Sequence, residues 1–302
     1  MSLKVLVTGG TGAVGSQLCD FLAGQNFEVS VLSRRKNENS RYTTYLWDYK
    51  HALIDKKALE NCDYIVHLAG AGIADSRWTS ERKREILESR IKTTSLIYKA
   101  LSTVDHKVKA IISASAVGYY GQINSDHIYV EDDPPGEDFV AQVCQKWEEE
   151  SRKFENLGIR TVQFRIGIVL MKKGGALEKM ALPFNYNVGA VLASGKQIIP
   201  WIHVVDLLRM ILLGIQSSEM KGPYNACSPH PVSNSAFSKL LAKTLNKPIL
   251  LPNIPEFVLK TILGKRAVLL TAGSRVSSQK IINSGFKFNH PELEPCLRDI
   301  LT

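Results

Sequence analysis

A chain of 302 residues with 44% hydrophobic and 22% charged residues can bury a sizeable core, as one large domain or two interleaved ones, and excludes a disordered or fibrous class. Its five cysteines, Cys19, Cys62, Cys144, Cys227 and Cys296, are scattered, odd in number and without a C-x-x-C pair, which argues against a disulfide framework or a zinc site and for a reducing compartment. A formal charge of +9 and a pI near 9.2 would suit nucleic acid, yet the basic residues interleave with acids, as in Glu81-Arg82-Lys83-Arg84-Glu85, so a solvated surface and a small phosphorylated ligand are expected rather than a nucleic-acid partner.

The stretch Leu3–Gly15 organises the rest of the chain. Leu3, Val5, Leu6 and Val7 predict a short buried strand that runs into Gly9, Gly10, Gly12 and Gly15 before a helical segment continued by Ser16–Leu22. Strand, glycine turn and helix is the arrangement that receives a dinucleotide pyrophosphate. One glycine makes the tight turn, one admits the phosphates to the backbone, and one lets helix and strand pack closely, while the first-turn N–H groups face the anion. The expected contacts are Gly9, Thr11, Gly12, Ala13, Val14 and Gly15. No signal-peptide pattern precedes this strand and no apolar run reaches the roughly 18 residues of a membrane span, so a cytoplasmic protein without a membrane partner is expected.

Glu28–Leu32 alternates as a second strand and ends in Ser33-Arg34-Arg35, with no acid before Glu38. An acid there would take the ribose 2′-hydroxyl, whereas arginine accommodates a 2′-phosphate. Ser33, Arg34 and Arg35 therefore point to NADP rather than NAD, the alternative being solvated loop charges. Strands follow at Thr43–Trp47 and Tyr64–Leu68, with a short helical link at Ala58–Glu60. The last of these strands empties into Ala69-Gly70-Ala71-Gly72, small residues that let a backbone lie flat against a ligand. A long amphipathic helix is predicted over Ser80–Leu101, and the next strand, Val108–Ile112, leads into Ser113–Gly121. This alternation predicts an α/β fold with a doubly wound parallel sheet.

An acidic loop, Glu131–Asp138, precedes a helix from Phe139 to about Asn156, stopped by Gly158, and Ile159–Phe164 reads as another strand. Beyond Arg165 the pattern loosens. Glycines and Pro183 break up the segment before Pro200–Asp206 and the apolar helix Leu207–Ile215, and further helices are expected at Ser233–Leu245, Glu256–Leu263 and Glu292–Leu301. The organisation read from this pattern is a Rossmann-type domain over residues 1–170, with returns near 201–217. A smaller mixed domain over 171–302 would close a substrate cleft.

With these pieces in place, the chain resembles the extended short-chain dehydrogenase/reductases, which include the sugar-nucleotide epimerases. Thr8-Gly9-Gly10-Thr11-Gly12-Ala13-Val14-Gly15 matches their glycine loop, His67-Leu68-Ala69-Gly70 their Asn/His-x-Ala-Gly turn, Ser113–Gly121 their serine-bearing strand end, and Trp201–Asp206 their Tyr/Trp-Ile-His-Val-x-Asp segment. More narrowly, Ala71–Trp78, Ser89-Arg90, Gly136–Glu148, Leu182–His203 and Gly285-Phe286 resemble the NADP-binding "epimerase family" proteins that carry an additional C-terminal domain of unassigned function. The resemblance implies cofactor contacts at Leu68, Ala69, Gly70, Arg90 and Ser113, and a catalytic hydroxyl at Ser115. It also makes a homodimer an expectation, although no stretch of the sequence marks an interface.

The resemblance fails at one place. The group's general acid/base is a Tyr followed four residues later by Lys on one helix face, and this chain has no such pair. Anchoring the expected helix on Glu148 puts Val140 and Cys144 at those positions; anchoring on Lys146 puts Gln142 in the place of Tyr. Arg90 stands where an Asn often supports the proton relay, and the Ile199-Pro200 region replaces an arginine that epimerases direct at a diphosphate. Tyr119 and Tyr120, beside Ser115, are the candidate replacement acids, with packing as their alternative role. Cys144 reads as a buried thiol, Lys146 as a ribose contact or a solvated lysine, His203 as a structural histidine, and Arg165 and Arg275 as anion contacts. Two functions remain open: an NADP(H)-dependent oxidoreductase or epimerase-like enzyme acting on a small carbonyl or alcohol, and a non-catalytic NADP-binding regulatory or scaffold protein.

Overall fold

The structure is a computed structural model that describes residues 2–36 and 40–302. Glu38, the first acid after the second predicted strand, lies outside the described residues. The main sheet has eight strands: β1 (Lys4–Thr8), β2 (Glu28–Ser33), β3 (Thr43–Asp48), β4 (Leu53–Ile54), β5 (Tyr64–His67), β6 (Ala110–Ala116), β7 (Arg160–Ile166) and β8 (Gly222–Ala226). Their order across the sheet is β8-β7-β6-β5-β1-β2-β3-β4. Every pairing is parallel except the short β3–β4 ladder at the edge. The chain direction of the winding reverses between β1 and β5, and in open α/β sheets that switch point is where a crevice forms outside the carboxyl ends of the strands.

Both faces of the sheet are covered, as parallel strands demand. In β1, Val5 and Val7 face a core built with α1 (Ala13–Gly24), where Leu18 and Leu22 are buried; Leu6 faces the opposite core. That second core contains Leu96, Ile97 and Leu101 of α2 (Ser80–Leu101) and Phe154, just beyond α3 (Phe139–Arg152). α2 spans the residues expected from the helical spacing of its apolar positions, and Thr79 caps it, its hydroxyl accepting the Arg82 N–H. α3 starts at Asp138, whose carboxylate accepts from the Val140 and Ala141 amides. It ends at Arg152, earlier than expected, and a 3₁₀ turn over Lys153–Leu157 completes the run to Gly158.

Three strands depart from the sequence reading, the two-residue β4 at the sheet edge, β6 and β8. β6 runs on through Ser113, Ala114, Ser115 and Ala116 instead of ending at Ile112, because it pairs with β7 as far as Ala116 opposite Ile166. Serine and alanine have little strand preference of their own, and the ladder overrides it. β8 is not among the strands expected from the sequence. It lies at the open edge against β7, where a proline costs no ladder bond.

The later chain builds a third core. Leu177 and Phe184 of α4 (Ala176–Asn185), Trp201, Phe237 and Leu241 of α6 (Asn234–Thr244), and Leu293 and Leu297 of α8 (Leu293–Leu301) pack there. Between these elements α5 (Val204–Gln216) returns to the main sheet, with Leu207, Leu208 and Ile211 in the first core. α7 (Glu256–Leu263) and the turn after it meet the loop that follows β5. Arg266 donates to the Ala74 carbonyl at 2.8 Å, and Lys179 of α4 lies 3.6 Å from Asp75. The loop after β5 is thus held between the sheet and the C-terminal part of the chain.

Candidate functional site

β1 ends at Thr8, and the chain then turns through Gly9 at φ +72°. A Cβ on Gly9 would stand 3.0 Å from the Leu68 carbonyl carbon, so the loops after β1 and β5 touch backbone to backbone across the switch point. A Cβ on Gly15 would lie 2.1 Å from the Gly9 carbonyl oxygen, which only glycine permits. Gly12 caps α1 in an extended conformation, with no side-chain cap and no acid in the first turn. The first amides of α1, on Ala13, Val14 and Gly15, therefore have no side chain competing for them, and an anion at the helix N-terminus is favoured by both the free donors and the helix dipole. Thr11 is exposed beside them. At the end of β2, the direct neighbour of β1, Ser33 is half-buried and accepts the Arg35 amide at 3.3 Å, while Arg34 and Arg35 are exposed. These features fit a dinucleotide with a 2′-phosphate.

The structure adds a piece that the sequence does not reveal. Gly174 adopts φ +77° and a Cβ there would meet the Ala13 Cβ at 3.0 Å, which brings the Lys172-Lys173-Gly174-Gly175 loop against the first turn of α1. Its only signal in the sequence is the Gly-Gly pair, which marks a turn without saying what the turn approaches.

At the end of β5, His67 is fully buried and sits in a chain of hydrogen bonds. The Ala69 N–H donates to Thr8 Oγ1 (3.2 Å), Thr8 Oγ1 meets His67 Nδ1 (2.7 Å), and His67 Nε2 meets Thr94 Oγ1 (3.0 Å), which donates to the Arg90 carbonyl (2.7 Å). Every donor and acceptor is matched if His67 is neutral with its proton on Nε2. Burial above all, and then the Arg90 charge, pushes its pKa down to about 3. The histidine fixes the path of Leu68, Ala69 and Gly70. Arg90 lies over Gly70: a Cβ there would be 3.1 Å from the guanidinium carbon. Its Nη1 donates to the carbonyls of Ala71 and Ile86, and the guanidinium carbon stands 5.0 Å from the Trp147 ring centre.

Ser113 is buried and its hydroxyl donates to the Ala114 carbonyl. Ser115 Oγ donates to Glu148 Oε1 at 2.6 Å, and Glu148 is held by Arg165 through two parallel bonds, Nε to Oε1 and Nη2 to Oε2, each 2.9 Å. The two charged side chains are 4% and 3% exposed. Arg165 Nη1 continues to the Tyr120 hydroxyl (2.9 Å) and the Glu131 carbonyl (3.0 Å). Tyr120 donates in turn to Asn225 Oδ1 (2.7 Å), and the Asn225 amide donates to Glu131 Oε1 (2.8 Å). Burial acts to lower the Arg165 pKa, but the Glu148 bonds and charge outweigh it and raise it. Burial pushes the Glu131 carboxyl up. In the sequence Glu148 serves only as an anchor for a missing pair. No local pattern says that a glutamate on α3 will face a serine on β6 and an arginine on β7.

This network separates the two tyrosine candidates. Tyr120 is buried with its hydroxyl fully engaged, and burial drives its pKa far above the usual phenol range; it fills the packing role. Tyr119 keeps partial solvent contact, and its ring lies 3.4 Å from the Arg165 guanidinium carbon. Burial raises its pKa, with the Arg165 charge opposing. α3 turns Val140, Cys144, Trp147 and Glu148 inward and leaves Gln142 and Lys146 exposed, so the face beside β6 carries Val140 and Cys144 at the Tyr and Lys positions. Cys144 is a buried thiol whose pKa burial raises to about 12.

His203 caps α5, its Nδ1 accepting the Val205 amide at 3.2 Å. Ligand atoms of His203, His290 and Asp299 lie within 4.8 Å of one another, but that cap bond leaves the neutral His203 ring with its proton on Nε2, the atom facing Asp299 at 3.3 Å, so this nitrogen has no lone pair for a metal. Arg275 lies on a two-residue strand paired with Ile128–Tyr129, and its side chain makes no hydrogen bond to the Ser115 network among the described residues. No helix among the described residues is long and apolar enough to cross a membrane.

Residues 5–227 match the model of the NAD dependent epimerase/dehydratase family, and residues 254–300 match a domain of unknown function, DUF1731. Epimerase family protein YfhF of Bacillus subtilis (strain 168) is 35% identical over 301 residues, covering 99% of this chain and 98% of that protein. The Mus musculus epimerase family protein SDR39U1 is 33% identical over 303 residues, covering 99% and 100%. Among solved structures, human epimerase family protein SDR39U1 (isoform 2) with NADPH superposes with a TM-score of 0.90 at 32% identity, over 99% of each chain. A nucleoside-diphosphate sugar epimerase from Corynebacterium glutamicum gives 0.81 at 28% identity, covering 100% of this chain and 58% of that one.

Proposed function

Because the chain belongs to the NAD dependent epimerase/dehydratase family, we propose that it binds NADP(H) and acts as an oxidoreductase or epimerase-like enzyme on a small alcohol or carbonyl compound. The NADPH in the human relative's structure, the uncapped amides of α1 and the exposed Arg34-Arg35 pair at the end of β2 support the choice of cofactor. Gly9, Thr11, Gly12, Ala13, Val14 and Gly15 would hold the pyrophosphate, Ser33, Arg34 and Arg35 the 2′-phosphate, and Leu68, Ala69, Gly70 and Ser113 the backbone-lined wall opposite. When bound, the cofactor supplies or accepts hydride at its nicotinamide ring.

The observation that carries the catalytic reading is the 2.6 Å hydrogen bond from Ser115 to the buried Glu148–Arg165 pair. A carboxylate only accepts, so the serine proton points at Glu148 and the Oγ lone pairs are left for a substrate hydroxyl. A hydroxyl donating there has a path for its proton through Oγ to Glu148 Oε1, while Arg165 holds that carboxylate in place through two parallel bonds. Tyr119 is the remaining phenol at the edge of this network. Against the enzyme stands one observation: the α3 face beside Ser115 presents Val140 and Cys144, neither of which moves protons at neutral pH, as a regulatory or scaffold protein that keeps NADP as a ligand would.

Titration calorimetry of the cofactor-stripped chain with NADP⁺ and NAD⁺, repeated on Arg34→Ala/Arg35→Ala, tests the first part. Tighter binding of NADP⁺ that the double substitution levels supports it; no binding of either nucleotide to folded protein overturns it. Loss of NADPH turnover in Ser115→Ala and Glu148→Gln, on a carbonyl-substrate panel that the unaltered chain reduces, supports the enzyme. A panel without turnover supports the scaffold.

A further inference from the structure

The β5 end of the crevice holds a cation with no counter-charge among the described residues. Arg90 Nη1 is committed to two backbone carbonyls, Ala71 at 3.0 Å and Ile86 at 2.9 Å. Among the described residues its Nε and Nη2 have no hydrogen-bond partner, and neither is among the side-chain nitrogens sealed from solvent. Among the described residues no carboxylate pairs with it, and the Arg82 charge opposes it. A guanidinium largely withdrawn from water and left with a free edge is costly unless an anion completes it.

The free edge has a definite shape. Nε and Nη2 are the pair of donors that Arg165 uses, side-on, to grip both oxygens of Glu148. The Arg90 edge offers the same fork, in a position held by the Trp147 ring, 5.0 Å from the guanidinium carbon, and by the Gly70 backbone, where a Cβ would stand 3.1 Å from it. It is preorganised for a planar, two-oxygen anion. Its place joins it to the reacting end of the site: Trp147, whose ring centre lies 5.0 Å from the Arg90 guanidinium carbon, directly precedes Glu148, the acceptor of the Ser115 hydroxyl.

We propose that the Nε/Nη2 edge of Arg90 binds a carboxylate of the substrate, so that the compound transformed beside Ser115 is a small carboxylate-bearing alcohol or carbonyl compound. This rests on the oxidoreductase reading above, and replaces the cofactor contact that the resemblance implied for Arg90 with a substrate contact.

The test uses the full chain saturated with NADP⁺ and titrated calorimetrically with oxalate, with its neutral counterpart oxamide and with inorganic phosphate. Oxalate should bind about tenfold or more tightly than oxamide and more tightly than phosphate, and Arg90→Lys, which keeps the charge but loses the fork, should weaken oxalate about tenfold while leaving NADP⁺ affinity within about twofold. Equal binding of oxalate and oxamide overturns the proposal, and this contrast in the unaltered chain decides the matter even if Arg90→Lys fails to fold. Tighter binding of phosphate overturns it in favour of a phosphoryl group. Equal loss of NADP⁺ and oxalate affinity in Arg90→Lys overturns it and returns Arg90 to the cofactor. If NADP⁺ does not bind the unaltered chain but oxalate still does through Arg90, the cofactor reading falls and the carboxylate site stands.

Discussion

Removing either partner of the Glu148–Arg165 pair should cost as much as removing both. Glu148 accepts two bonds from Arg165 at 2.9 Å and one from Ser115 at 2.6 Å, and both charged side chains are almost fully out of water. Glu148→Met leaves the guanidinium with only the Tyr120 hydroxyl and the Glu131 carbonyl. Arg165→Met leaves the carboxylate with only Ser115. Each single change strands a buried charge, a loss of about 3–5 kcal/mol. The double replacement strands none and puts two apolar side chains of similar length in the space, so it should destabilise no more than either single change. The coupling energy is then about 3 kcal/mol or more. Urea unfolding followed by circular dichroism, with midpoints compared at constant slope, measures it. Additivity of the two single effects to within about 0.5 kcal/mol would refute the reasoning, because independent sites behave in that way.

Gly15→Ala would place a Cβ about 2.1 Å from the Gly9 carbonyl, forcing the glycine turn open; NADP⁺ affinity measured by calorimetry should fall at least about tenfold, and unchanged affinity would count against the pyrophosphate assignment. Tyr120→Phe removes the donor to Asn225 and one acceptor of Arg165, so the urea midpoint should report a loss of about 1–3 kcal/mol, while a tyrosine that served only as a proton donor would leave stability unchanged. His67 supplies a pH dependence. Its native pKa of about 3 lies below the 6.5 of the unfolded chain, so the unfolded state gains a proton that the native state refuses, and stability is lost as pH falls from about 6.5 towards 3. The contribution approaches about 1.4 kcal/mol per pH unit inside that window. His67→Asn should flatten this part of the profile, and parallel profiles for the two chains would show that His67 does not titrate on unfolding.

The parts of the candidate site that were legible in the sequence are those whose chemistry is local. Gly9, Gly12 and Gly15 are readable because a turn, a close approach and a helix start must follow one another within a few residues. Arg34 and Arg35 are readable because β2 always ends beside β1. Glu148 was not, because its partners are 33 residues earlier and 17 residues later, and an interior α3 glutamate looks the same whether it meets Arg165 or water. Tyr119 and Tyr120 are adjacent and alike as letters, yet one keeps contact with solvent and the other is buried against Asn225, 105 residues away. The Gly174 loop was missed for the same reason: a Gly-Gly pair announces a turn, and only packing shows that it reaches Ala13.

By itself, then, the sequence determined the alternation of strands and helices, the glycine turn and the charge at the end of β2, since periodicity and turn stereochemistry act over a few residues. The tertiary structure alone decided the extension of β6 through Ser115, the edge strand β8, the direction in which α3 faces and the partner of each buried polar group. Those depend on which side chains are brought together from distant parts of the chain. A buried charge or hydroxyl is costly without a partner, so the fold, rather than the local sequence, decides which groups Ser115, Glu148 and Arg165 meet.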